Sequence, residues 1–253
     1  MKRFGLLFSA LALAAIPSRP ARAANDPKAE AVGRAMIQAM GGTAAWERAR
    51  YFRFDFTVVR DGKKIASFAH AWDRWTGRYR VEGEDAHGVP WKAFFDVNSR
   101  KGDYWVNGAK ADGQTSAQGL ENAYGRFIND SYWLLAPWKV FDPGVHLEYV
   151  GSVRDAAGNA CDEIKLSFEG VGLTPKDIYW MDIDSATHLL TQWKFVLNGG
   201  NDAPTVVAWK EWKKVGLIML SVVKPFVAKP AEIRFENLRV TESPDEAELT
   251  PPK

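Results

Sequence analysis

Eleven tryptophans, all beyond residue 45, fall almost entirely in short segments where apolar and polar residues alternate. His70-Ala71-Trp72-Asp73-Arg74-Trp75, Trp91-Lys92-Ala93-Phe94-Phe95 and Tyr104-Trp105-Val106 are examples. A period of two is the signature of a strand with one buried face. Each indole brings a large apolar surface and one N–H that needs an acceptor. A core needs only a few such rings. Eleven predict either a very aromatic core or an apolar cavity that holds an apolar ligand.

The alternation continues along most of the chain. Phe52, Phe54, Phe56 and Val58 alternate with Arg53, Asp55 and Thr57, and Asp61-Gly62 is a hairpin signal. The partner strand runs from about Ile65 to Trp75. Further strands are expected at Tyr79–Glu82, Trp91–Val97 and Tyr104–Val106, giving an antiparallel meander. After an interruption they resume at Val145–Val150, Asp162–Phe168, Ile178–Ile183, Leu189–Leu197, Thr205–Lys213, Leu217–Val223 and Glu232–Val240.

Two stretches have helical spacing instead. Asp26-Pro27 reads as N-cap and first turn, followed by Val32, Ala35, Met36, Ala39 and Met40 on one face, with Gly41-Gly42 as the stop. Thr43 is expected to cap a short second turn carrying Trp46. Midway, Leu120, Ala123, Tyr124, Phe127 and Ile128 recur at helical spacing. Asn129-Asp130-Ser131 reads as a break, and Tyr132–Ala136 as a separate, very apolar helix stopped by Pro137.

Residues 1–23 have the layout of a secretory signal: Lys2-Arg3, an apolar run from Phe4 to Ile16, and Ala21-Arg22-Ala23 as cleavage site. The mature protein is expected to begin at Ala24 and to be periplasmic. Loss of Lys2, Arg3, Arg19 and Arg22 reduces 33 basic residues to 29 against 31 acidic ones, so the formal charge turns from +2 to −2. That balance argues against nucleic acid as a partner. Cys161 is the single cysteine and cannot form an internal disulfide. Residues 24–242 are expected to form one domain, and the polar, Pro-rich stretch 243–253 a disordered tail.

The order of elements resembles the LolA/LolB-like family of periplasmic lipoprotein carriers. Shared features are the export signal, leading helix, meander, helical insertion and closing strand Ile233-Arg234-Phe235-Glu236-Asn237-Leu238, with a late hairpin from Asp182-Ile183-Asp184-Ser185 to Leu190. The resemblance implies a mainly β fold: a curved antiparallel sheet forming an unclosed barrel with helices across its concave side. It also implies an apolar interior that shelters acyl chains. The chain departs from the usual carriers in its greater length and tryptophan content.

On this reading Phe54, Phe56, Trp72, Tyr132, Trp133, Leu134, Leu135 and Trp138 line the cavity or its lid. Arg74 shares strand parity with His70 and Trp72 and is the candidate head-group contact. An equally plain reading makes the Tyr132–Trp138 stretch a core plug and Arg74 a rim charge covering tryptophan rings. The four histidines show no metal-ligand spacing, and no nucleophile elbow, phosphate loop or dinucleotide fingerprint occurs. No catalytic residue, metal or cofactor is therefore assigned. The expected partners are a lipid or acylated protein and envelope membrane proteins. A hydrolase built from scattered carboxylates such as Asp73, Glu82 and Glu169, or an interaction module with a self-filled cavity, is the alternative.

Overall fold

A computed structural model describes residues 25–169, 176–200 and 202–252; the expected signal sequence and its cleavage site lie outside them. The first meander comprises β1 (Tyr51–Arg60), β2 (Lys63–Asp73), β3 (Arg78–Glu84), β4 (Pro90–Asp96), β5 (Gly102–Val106) and the short β6 (Ala109–Lys110). The second comprises β7 (Val145–Arg154), β8 (Ala160–Phe168), β9 (Ile178–Asp184), β10 (Leu190–Val196) and β11 (Thr205–Ala208). The chain then returns through β12 (Lys210–Val215), β13 (Ile218–Pro225) and β14 (Ala231–Thr241).

These strands form two antiparallel sheets, nine strands in the order β12-β13-β14-β1-β2-β3-β4-β5-β6 and five in the order β11-β10-β9-β8-β7. The sheets meet at Trp209. The single strand expected over Thr205–Lys213 is bent there, its first half pairing with β10 and its second with β13. Glu211, just beyond the bend, has φ 52. A bridge between Val207 and Phe226, and a hydrogen bond of 3.0 Å from Val227 N–H to the Val206 carbonyl, carry pairing across the junction. The result is an unclosed half-barrel, the fold class expected from the sequence.

The alternation on β1 explains which face is concave. Phe52, Phe54 and Phe56 are buried and stand opposite Trp72, His70 and Phe68 of β2. Phe54 and Phe56 also meet Phe235 of β14. Burying each phenylalanine contributes roughly 1.5–3 kcal/mol, so this one strand anchors much of the inner face. The Asp61-Gly62 turn takes positive φ at both residues, 51 and 73, as a tight hairpin of this hand requires.

Helices cover that face. α1 (Pro27–Ala39) is capped by Asp26, whose carboxylate accepts from the backbone N–H groups of Lys28 and Ala29. α2 (Gly42–Arg48) follows at once, with Gly41 at its cap position at φ 122. Thr43 therefore lies inside α2 and does not cap it.

α3 (Gly113–Leu135) runs without a break and passes directly into a 3-10 turn, Ala136–Lys139. The expected break at Asn129-Asp130-Ser131 is absent. Such residues end helices when their side chains bond the local backbone; here the Asp130 carboxylate accepts from Asn129 and faces the sheet instead. Gly119 lets α3 approach β5, since a Cβ there would lie 2.4 Å from the Tyr104 ring.

The tail also departs from expectation. Residues 246–249 form α4 (Glu246–Leu249), and Leu249 is buried against Tyr51 and Ala71 on the convex face. Arg78 holds Glu246 through a two-pronged ion pair at 2.7 and 2.8 Å, and the Tyr51 hydroxyl donates to Glu248. The polar composition of this stretch serves pairing with strand arginines, which composition alone does not reveal.

Candidate binding site

Between the concave face and α3 lies one continuous core containing side chains from both sheets. Rings dominate it in two groups. Under the nine-stranded sheet, Phe127 of α3 packs edge-on to Trp72 at 5.2 Å and to Tyr79 at 4.9 Å. Under the five-stranded sheet, Trp193 is the hub. Trp133 meets it at 4.8 Å, Trp209 at 5.3 Å and Tyr132 at 5.9 Å. Trp133 also reaches Phe226 at 5.9 Å.

The eight residues expected to line a cavity or lid all belong to this core or pack against it, but they do not surround one void. Phe54, Phe56 and Trp72 belong to the first ring group, and Tyr132 and Trp133 to the second. Leu134 and Leu135 are fully buried between them. Trp138 stacks on Trp46 at 5.0 Å, with the rings 9° from parallel.

Arg74 lies just beyond β2 and sits over the ring of Trp46, 4.4 Å from its centroid. Its guanidinium donates to the carbonyls of Ala49 at 3.0 Å, Trp46 at 2.7 Å and Glu47 at 3.3 Å. Those carbonyls include ones left free at the end of α2. A head group at Arg74 would therefore compete with the end of a helix.

Two buried polar groups face the interior that the sequence pattern did not single out as a site. The first joins α3 to the meander. His70 is fully buried, stacked on Phe54 at 4.5 Å, with Nδ1 2.6 Å from the Tyr79 hydroxyl. Its Nε2 lies 3.2 Å from Asp130 Oδ2 without an in-line hydrogen bond, and Arg126 reaches the same oxygen at 3.5 Å. Burial pushes the Tyr79 phenol well up, so it keeps its proton beside Nδ1. Burial lowers the His70 pKa although Asp130 favours the charged form.

The second is Lys224 on β13. It follows Ile218, Leu220 and Val222 in the inward row and has no exposed surface. Its Nζ donates to the Ser221 carbonyl at 2.7 Å and lies 4.1 Å from the Trp209 ring centroid and 4.5 Å from that of Phe235. Burial alone holds its pKa well below the ordinary lysine range. Strict parity from Ile218 would have placed it inside.

Among the described residues, the indole N–H groups of Trp72, Trp138, Trp193 and Trp209 are buried with no acceptor. A groove of about 400 Å³ opens at the sheet junction, lined by Trp209, Pro225, Phe226, Val227, Gln192 and the Asp155–Asn159 loop. The scattered carboxylates do not converge. Asp73 is held by Arg50 and Arg78, Glu82 by Arg80 and Lys92, and Glu169 lies 3.1 Å from His146. Burial would raise the Asp73 pKa, but the Arg50 fork, Thr76 and the Trp75 N–H hold it far below the usual carboxylate range. Cys161 is buried, and burial raises its thiol pKa. Among the described residues, no three His, Cys, Asp or Glu side chains are grouped to hold a metal ion, and no helix is long and apolar enough to cross a membrane.

No protein-family model matches the chain, and no curated protein matches its sequence. Solved structures do. A DUF1329 family protein from Desulfovibrio piger superposes with a TM-score of 0.50 at 11% identity, over 88% of this chain and 97% of that one. MucB aligns with a TM-score of 0.31 at 15% identity, over 90% of this chain and 64% of its own. The Mycobacterium tuberculosis lipoprotein LppX aligns with a TM-score of 0.26 at 11% identity, over 83% and 96%. The likeness to the first is one of fold.

Proposed function

We propose that this chain is an exported, non-catalytic binding protein that shelters a lipid or an acylated molecule between the concave sheet face and α3. The observation that carries the reading is the composition of the interior. Rings from both sheets line one curved face, a single helix crosses it, and four indole N–H groups there lack acceptors. Moving the Tyr132–Leu135 end of α3 away from Trp193 would expose a continuous apolar trough. An acyl chain of about ten methylenes would gain ~8 kcal/mol there, near micromolar affinity. Delivery to a membrane partner would be passive hand-off.

A second reading is favoured by the complete burial of Ala123, Leu134 and Leu135. In it α3 is a permanent plug and the protein is an interaction module. Native mass spectrometry and lipid extraction of the purified protein separate the two, together with titration of a fluorescent fatty-acid analogue that quenches tryptophan emission. Under the carrier reading a lipid co-purifies, and Trp133→Ala weakens analogue binding more than it lowers stability. Under the plug reading nothing binds, and Leu134→Ala simply costs the ~2–5 kcal/mol of a core truncation.

A further inference from the structure

Among the described residues, one fully buried basic side chain, Lys224, has no anion beside it. The other buried charged side chains in the core or on the sheet faces have partners. Asp73 has Arg50 and Arg78, Asp130 has Arg126 and His70, and Glu163 and Asp182 share Lys194. Among the described residues no carboxylate pairs with Lys224. Its Nζ donates to the Ser221 carbonyl and lies over two aromatic faces. Nothing in β13 calls for an amine there, because the inward row is otherwise apolar and a methionine would fit without the desolvation cost.

A second donor stands beside it. The Trp209 ring that Lys224 touches carries an indole N–H with no acceptor. The groove at the sheet junction reaches one of the two, since Trp209 lines it together with Pro225 and Phe226, and Lys224 is the chain neighbour of Pro225 with no exposed surface of its own. A basic amine without a counter-charge and an indole N–H without an acceptor, both in an apolar wall, match a carboxyl group, whose charge would favour the protonated amine. The ring row running from Trp209 through Trp193 to Trp133 matches an apolar chain.

We infer that Lys224 and Trp209 form the head-group site for a carboxylate, the acidic end of a single-chain amphiphile whose tail lies along the tryptophan row beneath α3. The inference rests on the carrier reading and names its ligand class. The carboxylate would supply the missing counter-charge to Lys224 and accept from Trp209. The apolar surroundings strengthen both contacts, because no water competes for them.

The test uses the full chain and its Lys224→Met and Lys224→Arg variants, with dodecanoate, dodecanol and acetate as probes. Lys224→Met removes a buried amine that has no charge partner, so it is expected to fold and to melt at least as high as the unaltered protein. Calorimetric titration should show dodecanoate binding about ten- to hundredfold tighter than dodecanol, the loss expected when a charge-assisted hydrogen bond is missing. Lys224→Met should bring dodecanoate to the dodecanol level, and Lys224→Arg should restore part of the difference. Equal binding of dodecanoate and dodecanol, untouched by Lys224→Met, would overturn the head-group inference and leave the carrier reading standing. Acetate raising the melting temperature of the unaltered protein but not of Lys224→Met, with neither long chain binding, would keep the anion site and remove the carrier reading. No response to any of the three probes would overturn both.

Discussion

Among the described residues, two nitrogen bases are fully buried, His70 and Lys224, and they are treated in opposite ways. His70 sits between a phenol, a carboxylate and a phenylalanine face, and its carboxylate is itself held by Asn129 and Arg126. Lys224 has one carbonyl and two ring faces. A buried base set beside an opposite charge ties together the elements that carry the pair, here α3 and β2. One whose partner is missing costs stability and marks a place where something else can supply it. The difference separates a fastening from a receptor within one core.

The comparison can be broken most forcefully at Asp130. Asp130→Ala strips His70 and Arg126 of a shared partner and should lower stability by about 3 kcal/mol in urea denaturation, the scale of a lost hydrogen bond to a charged group. A change under half a kcal/mol would mean the network does not fasten α3. Lys224→Met should move stability the other way, upward by about 2 kcal/mol, as replacement of buried ionic groups by apolar ones often does. A loss there would make Lys224 structural and remove the contrast. Arg74→Ala should cost about 1 kcal/mol by releasing the carbonyls of α2, and should weaken anionic and neutral lipids alike. Selective loss of the anionic lipid would instead place the head group at Arg74.

The smallest effects are slopes. The folded-state pKa values of His70 and Lys224 are both depressed below their ordinary values of 6.5 and 10.5. In each case the unfolded chain binds a proton that the folded one refuses, so the contribution is present above the ordinary value and lost as pH falls below it. Stability should fall with pH below about 6.5, and this slope should vanish in a His70→Gln variant. It should also fall as pH drops below about 10.5, and Lys224→Met should flatten that part of the curve. A pH scan of urea midpoints for the three proteins reads both windows, and unchanged slopes would mean that neither base is kept neutral by folding.

Much of the fold is legible in the sequence because strand alternation is a local signal. Phe52, Phe54 and Phe56 announce their face within seven residues, and Asp61-Gly62 announces its turn. What escapes are features decided by distant partners. Asn129-Asp130-Ser131 reads as a break because His70, nearly sixty residues away, is not visible beside it. The tail reads as disordered because its glutamates are matched by Arg78 and Tyr51 from the first meander. The bend at Trp209 is set by a change of pairing partner, which no local pattern encodes. The site divides in the same way. The apolar lining follows from ring content and spacing, whereas the absence of an anion near Lys224 is a property of the packed whole. Arg74 drew notice for its parity with Trp72, but the strand ends one residue before it.

The pairing of β1 with β14 sets the order in which this molecule can assemble. Tyr51 stands opposite Thr241, and Arg60 opposite Ala231. This pair, the third and fourth strands of the larger sheet, thus joins segments separated by most of the chain, and the loop that must close before it forms contains α3 and the entire second sheet. Contacts of such span slow folding, because chain entropy is lost long before the contact rewards it. Until residue 241 is available, the phenylalanine face of β1 has only β2 beside it and an open edge on the other side. A chain of this design emerging during synthesis would expose an aromatic, unpaired strand for as long as synthesis of the following 180 or so residues takes. Its vulnerable period is therefore fixed by topology, and a chaperone that shields extended aromatic segments would act on β1 before any other element.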